Sequence, residues 1–320
     1  MSNVNRRVLI TGATGCAGTH LSELALSRQA QVFGLAQAGN FVAGVAGQAI
    51  DLTDRAAVEA CVQACQPDWV FHLAALIPGA AVSPERYIAV NVTGTYYLLE
   101  AVRQFAPMAR VLIASSSAVY GRSAHTDHPI REDAPLQPQS LYATTKAAQD
   151  LLGVQFFTAH ELHTARGRTF NQTGPREPAN LVCATIARQV ARIEAGLQAP
   201  VVQTVTLLPR RDFTDVRDVV AGYWAALEYG AGGEAYNICS GQSTTIREVA
   251  DQLIGLSTVR HIEVIESDPR PGPRAILDQV GDRSKLQACS GWQPKIPLEQ
   301  SLRDLLDEWR VRVRAEAAAT

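Results

Sequence analysis

The stretch RVLITGATGCAG, residues 7–18, decides the fold. An apolar run, Val8 to Ile10, is stopped by Gly12, and Gly15 and Gly18 follow before a helical pattern, THLSELALS, begins. Glycines at this spacing permit a tight turn, a close approach of backbone to an anion, and close packing of the helix that follows. The helix N-terminus then presents unpaired N–H groups to that anion. A glycine triplet alone is weak evidence. Its place between a strand and a helix at the head of the chain makes it a dinucleotide-binding loop, with Gly12, Gly15 and Gly18 around the pyrophosphate.

Working outward, the alternation continues. QVFGLA is a second apolar run; DLTDRAAVEACVQAC reads as an acid, a cap and a helix; and DWVFHLAA is a further strand. A helix around NVTGTYYLLEAVRQF, the strand RVLIASS and a long helix beginning near Ser140 follow. Short apolar strands separated by helices require crossover connections, and so a parallel sheet covered on both faces. The expected class is α/β: a Rossmann-type doubly wound parallel sheet over residues 1–170, with a smaller C-terminal α/β substrate domain over 171–320 whose segments near 200–240 partly return to the main sheet. The last helix, PLEQSLRDLLDEWRVRV, is amphipathic.

With 320 residues, 47% of them hydrophobic, the chain can bury a sizeable core. A formal net charge of −2 spread along the sequence argues against nucleic acid and against a polybasic membrane anchor. MSNVNRR leads straight into the first strand without an apolar leader, and no apolar run is long enough to span a bilayer, so a cytoplasmic location is expected. The six cysteines are scattered and read as reduced packing or surface residues. Nothing in the sequence calls for a metal.

The second strand ends in GLAQAGN, where an acid usually holds the adenosine ribose. Ala36 and Gln37 are neither acid nor arginine, so NAD and NADP are not separated. Asp51 and Leu52 end the third strand and suit a contact with the adenine ring. Ala74 and Ala75 in FHLAAL are small enough for a backbone passing close to a cofactor, and His72 reads as a packed core histidine.

SLYATTKAAQDLL places Tyr142 and Lys146 at i and i+4, on one helical face. An ammonium about 6 Å from a phenol, at an effective dielectric near 20, stabilises the phenolate by about 3 kcal/mol, or about two pKa units. Lys146 also suits the cofactor ribose. Upstream, VLIASSSAVYG carries three consecutive serines, Ser115 to Ser117, ahead of Tyr120. Glycine loop, serine stretch and YxxxK occur in that order.

These features resemble the extended short-chain dehydrogenase/reductase family, in its nucleotide-sugar branch. TGATGCAG, FHLAA, NVTGT, SSSAVYG, YATTK, RTFNQTGPRE, RRDFTDVRDVV and YNICSG carry the likeness over nearly the whole chain. The last two are similar to the GDP-4-keto-6-deoxy-D-mannose reductases. The family's catalytic hydroxyl lies four residues before the tyrosine of its VYG motif, which selects Ser116 beside Tyr142 and Lys146. Ser115 and Ser117 are then strand-end residues bonding backbone, and Tyr120 a structural landmark. Dehydratase relatives place an acid two positions after that hydroxyl; here the residue is Ala118, which disfavours dehydration.

The resemblance further implies a sugar-phosphate role for Asn171 and a diphosphate clamp from Arg211 and Arg270, with Arg274 as a substitute for Arg270 and Arg176 as a further phosphate contact. The implied activity is reduction, by NAD or NADP in reduced form, of the 4-keto group of a GDP-linked 4-keto-6-deoxyhexose. An NAD-dependent 4-epimerase and a non-catalytic dinucleotide-binding member are the alternatives. The partners implied are a nucleotide-sugar substrate and a second copy of the chain; the apolar positions of TGTYYLLEAV and AAQDLLGVQFF either pair across a two-fold, as in relatives, or cover the sheet.

Overall fold

Val8, Leu9 and Ile10 are fully buried, and the strand they form, β1 (Arg7–Thr11), lies inside a seven-stranded sheet. The structure, a computed structural model, describes residues 5–79, 82–122, 129–268 and 276–318. Down to residue 169 the chain alternates: α1 (Cys16–Ser27), β2 (Gln31–Ala36), β3 (Ala46–Ala49), α2 (Arg55–Cys65), β4 (Trp69–His72), α3 (Pro84–Ile88), α4 (Gly94–Phe105), β5 (Arg110–Ser116), α5 (Leu141–His160) and β6 (Thr164–Thr169). Beyond it lie β7 (Asn171–Thr173), α6 (Val182–Glu194), β8 (Val201–Thr204), β9 (Arg210–Asp215), α7 (Val216–Tyr229) and β10 (Glu234–Ile238). The remainder is β11 (Ser243–Thr245), α8 (Ile246–Gly255), β12 (Glu263–Glu266), β13 (Asp278–Gln279), α9 (Ser284–Ser290) and α10 (Leu298–Ala318).

The main sheet has the order β10-β6-β5-β4-β1-β2-β3, and every pairing in it is parallel. Because side chains alternate across a strand, Val8 and Ile10 pack toward α1 and α7, while Leu9 joins the core under α2, α4 and α5. Both faces are apolar, as a doubly wound sheet requires. The third strand stops at Ala49, so Asp51 and Leu52 lie in the turn before α2 rather than in the strand. Asp54 caps α2, accepting from the N–H of Ala57 at 3.1 Å, and Ser140 caps α5 through Ala143 at the same distance.

A separate core forms between α6, α8 and α10 and the strands β8 and β9. There β9 pairs with β7, β11 and β13, and β8 with β12. The chain then returns: α7 buries Tyr223 and Trp224 against the main sheet, and β10 extends it alongside β6. Gly167 on β6 leaves the room, since a Cβ there would stand 2.9 Å from the Tyr223 ring. On the outer side of α4 and α5, Tyr96, Leu151 and Phe157 leave apolar surface exposed.

Between α5 and β6 sits a buried ionic cluster. Asp150, without solvent exposure, accepts from Arg166 Nη1 at 2.8 Å and from Arg168 Nε and Nη2 at 2.9 and 3.0 Å. Burial works against its charge, but Arg168, Arg166 and Ser115 more than offset this and hold its carboxyl below the usual range. Arg168 continues to the Tyr120 hydroxyl at 3.2 Å, and that hydroxyl donates to Asn237 Oδ1 at 2.6 Å. Tyr120 thus ties the turn after β5 to β10. Removing the charge of Asp150 leaves two buried guanidinium groups uncompensated, so Asp150→Asn is expected to cost about 3–5 kcal/mol in urea unfolding. Asp133→Asn, at an exposed pair, should stay within about 0.5 kcal/mol of the parent.

Candidate active site

At the C-terminal ends of β1, β2, β4, β5 and β6 the structure opens a cavity of about 890 Å³, within the usual size range of small-molecule sites. Gly12, Gly15, Gly18, Asp51, Leu52, Ala74, Ser116, Tyr142, Lys146, Asn171 and Arg211 all line it. Parallel strands bring residues far apart in sequence to one sheet edge, where ligands of this fold class bind. Arg270, with its substitute Arg274, lies outside the described residues.

The glycine loop fits a diphosphate. Gly12 has φ +70°, and a Cβ there would stand 2.9 Å from the Ala74 nitrogen; one on Gly18 would stand 2.0 Å from the Gly12 carbonyl oxygen. Gly15 is the N-cap of α1, so no side chain occupies the helix end, and the first turn holds no acid. Its N–H groups are left for an anion. Further along the lining, Asp51 Oδ1 accepts from the N–H and hydroxyl of Thr53 at 3.0 and 2.8 Å. Its Oδ2 accepts from Gln37 at 3.3 Å and from Arg86. Burial opposes the Asp51 charge, yet Thr53 and Arg86 together hold its carboxyl below the usual range. Arg86, from α3, gives no sign of this in the sequence, where it is one arginine in a polar stretch.

Tyr142 and Lys146 stand on the first two turns of α5. Burial pushes the Tyr142 phenol up, and Ser116, which faces it from the end of β5, pulls it back. The expectation that Lys146 sets the tyrosine's acidity needs revision, since burial is the leading influence on the phenol and Ser116 the opposing one. Lys146 is 3% exposed and donates from Nζ to the Ala114 carbonyl. Burial draws its ammonium down to about 7, against the support of Asp150 one turn along the helix. The Ser116 hydroxyl also accepts from the Ala118 N–H at 3.2 Å. The buried Ser115 hydroxyl lies near Asp150 and makes no hydrogen bond to backbone among the described residues. The Ser117 carbonyl accepts from Gln279 at 3.0 Å.

Two polar clamps stand behind these residues, and their partners are not legible in the sequence. Asn91, buried in a π-helical turn (Ala89–Thr93) that leads into α4, accepts from Leu76 N–H at 2.7 Å and donates to the Leu76 carbonyl and to Thr145 on α5 at 3.1 and 3.0 Å. It fixes the loop after β4 that lines the cavity. His72, also buried, lies 2.7 Å from both Thr11 Oγ1 and Thr95 Oγ1. Thr95 gives its proton to the Asn91 carbonyl at 2.6 Å, which assigns the Nε2–H tautomer to His72, with Nδ1 accepting from Thr11. Burial, with the Lys146 charge, lowers its pKa to about 3, so it stays neutral. His72 is therefore a core histidine, bonded at both nitrogens.

On the opposite wall, Asn171 begins β7 and Arg211 lies on β9. Arg211 donates to the Arg210 carbonyl at 2.7 Å, burial lowers its pKa, and among the described residues no carboxylate pairs with it. Arg176 does not reach this wall: its guanidinium pairs with Glu23 at 2.7 Å and its N–H bonds Glu308. Glu177, passed over in the sequence, is buried and lines the cavity. So does Tyr223 of α7, bonded to Thr169 at 2.7 Å.

Comparison with known proteins agrees with this geometry. The chain is 37% identical over 253 residues to the GDP-6-deoxy-D-mannose reductase of Pseudomonas aeruginosa, covering 78% of this chain and 83% of that one. A solved structure of RMD from Pseudomonas aeruginosa complexed with NADPH superposes with a TM-score of 0.85 at 31% identity, over 96% of this chain and all of that one. A UDP-glucose 4-epimerase of Thermus thermophilus in complex with NAD gives 0.83 at 29% identity, over 95% and 99%. The model of the GDP-mannose 4,6 dehydratase family matches residues 9–305. Glycine loop, serine stretch and Tyr142–Lys146 pair all fall inside that match, and the chain belongs to the GDP-mannose 4,6 dehydratase family.

Proposed function

We propose that this member of the family is a reductase: it uses NADH or NADPH to reduce the 4-keto group of a GDP-linked 4-keto-6-deoxyhexose. The observation that carries the reading is Ala118. It lines the cavity two residues after Ser116, where dehydratase relatives hold the acid that assists loss of a hydroxyl, and a methyl group cannot transfer a proton. Similarity to a GDP-6-deoxy-D-mannose reductase and to an NADPH complex supports the same choice.

When bound, the reduced nicotinamide supplies the hydride. The rest falls to this chain's own side chains. Tyr142 donates its phenolic proton to O4 of the sugar, and its raised pKa keeps it in the protonated form that reduction requires. Ser116 hydrogen-bonds the same oxygen and polarises the carbonyl. The phenolate left behind is stabilised by Ser116. Lys146 also holds the nicotinamide ribose, and the N-terminus of α1 holds the dinucleotide diphosphate. Arg211, half-buried and in no ion pair among the described residues, clamps the diphosphate of the sugar nucleotide beside Asn171.

Incubation with a GDP-4-keto-6-deoxyhexose should oxidise one NADH or NADPH per sugar reduced. Tyr142→Phe should lower turnover by about 10²–10⁴-fold with dinucleotide affinity retained. No oxidation of either cofactor, or full turnover by the variant, would sink the reading. The buried ammonium gives a second expectation. The folded value for Lys146, about 7, lies below the unfolded one, near about 10.4. Between the two the unfolded chain binds more protons, so the folded protein gains stability as pH rises through that window and carries the full penalty below it. Lys146→Met should therefore melt higher than the parent, by a margin widest below pH about 7 that closes toward pH about 10. A variant that melts lower at acidic pH contradicts this.

A further inference from the structure

Glu177 is a buried acid in the cavity that makes no ion pair among the described residues. It is 3% exposed and shares the lining with Gly15 and Cys16 at the N-terminus of α1. The groups that hold it are neutral. Thr173 Oγ1 donates to its Oε2 at 2.7 Å, and the N–H groups of Gly174 and Ala184 face it. Ala184 lies in the first turn of α6, whose N-cap residue, Leu181, offers no side-chain acceptor. Among the described residues no ion pair reaches Glu177, because the adjacent Arg176 is turned away to Glu23.

The titratable groups nearest it are two thiols. Cys16 comes from α1 and Cys183 from α6. Burial first, and the Glu177 charge next, push the Cys16 thiol up to about 12 and the Cys183 thiol well above its ordinary value. Arg176, Glu308 of α10 and Asp215 at the head of α7 bear on Cys16 from further out. His20 of α1 is kept toward its neutral form by burial. Burial lifts the Glu177 carboxyl itself to about 7, against the pull of Thr173, Gly174 and Ala184.

We infer that binding of the dinucleotide draws a proton from solvent onto the Glu177 carboxylate, because the diphosphate held by the first turn of α1 brings a second, unpaired negative charge into the same cleft. The inference rests on the dinucleotide-binding reading given above. A negative charge brought near a buried carboxylate raises its proton affinity. Affinity for the dinucleotide then weakens as pH rises above the point where free Glu177 ionises. Lys146 faces the same ligand and adds uptake of its own, so the two contributions must be separated.

Titration calorimetry of the full chain with NADPH at pH 8, in two buffers of different ionisation heat, counts the protons taken up. The parent should take up about half a proton more than Glu177→Gln, which keeps the acceptor oxygen facing Thr173. From pH 6.5 to 8.5 the parent's Kd should weaken severalfold more than the variant's. An equal proton count in both proteins overturns the inference. On the parent alone, infrared difference spectra should show a protonated-carboxyl band appearing with NADPH, and its absence overturns the inference independently of any variant. Absence of any NADPH binding heat overturns the dinucleotide reading itself, and this inference with it.

Discussion

The site is organised around a lysine that the fold buries without an ion pair among the described residues. Lys146 lies at the junction of α5 and β5, bonded to the Ala114 carbonyl. Burial of an ammonium is costly unless something nearby favours its charge. Asp150, one turn further along α5, does so from a distance, and it is itself held by Arg166 and Arg168 from the neighbouring strand. The cluster under the sheet edge and the cation at that edge form one electrostatic unit. An isolated protein that carries such a penalty has given up stability for a group that is useful only once a ligand arrives.

Much of what packs around Lys146 and Tyr142 is long-range in sequence. Thr11, His72, Thr95 and Gln149 make one buried hydrogen-bonded chain across β1, β4, α4 and α5. Asn91 ties the loop after β4 to α5 through Thr145. The second half of the chain contributes as well: α7 slides Tyr223 beneath the site, and β10 carries Asn237 to Tyr120. The cavity is thus closed by both cores, although each is apolar and continuous by itself.

Much of this is legible in the sequence, for physical reasons. The strand–glycine–helix opening is local chemistry: a backbone that must turn tightly and approach an anion leaves its mark in adjacent residues. Tyr142 and Lys146 are equally local, because i and i+4 share a helical face. The polar clamps are not local. Asn91 and His72 act through partners 15 to 77 positions away, and no spacing rule reaches that far. Arg176 shows the converse error, since a cationic residue in a phosphate-binding stretch invites a phosphate contact, while Glu23 on α1 draws it to the surface. Glu177 escaped notice because an acid beside an arginine reads as a solvated pair, and only the three-dimensional turn separates the two.

Within a family named for dehydration, one side chain decides the chemistry proposed for this chain. Ser116, Tyr142 and Lys146 suit hydride transfer at C4 in either direction, whereas elimination of water needs an acid placed beside them. Ala118 offers none. The most direct test supplies the purified chain with GDP-mannose and NADP or NAD and follows the sugar nucleotide by mass spectrometry. GDP-mannose should be recovered without loss of water. Formation of a product lighter by one water molecule, at a rate matching or exceeding reduction of the 4-keto sugar, would contradict the account.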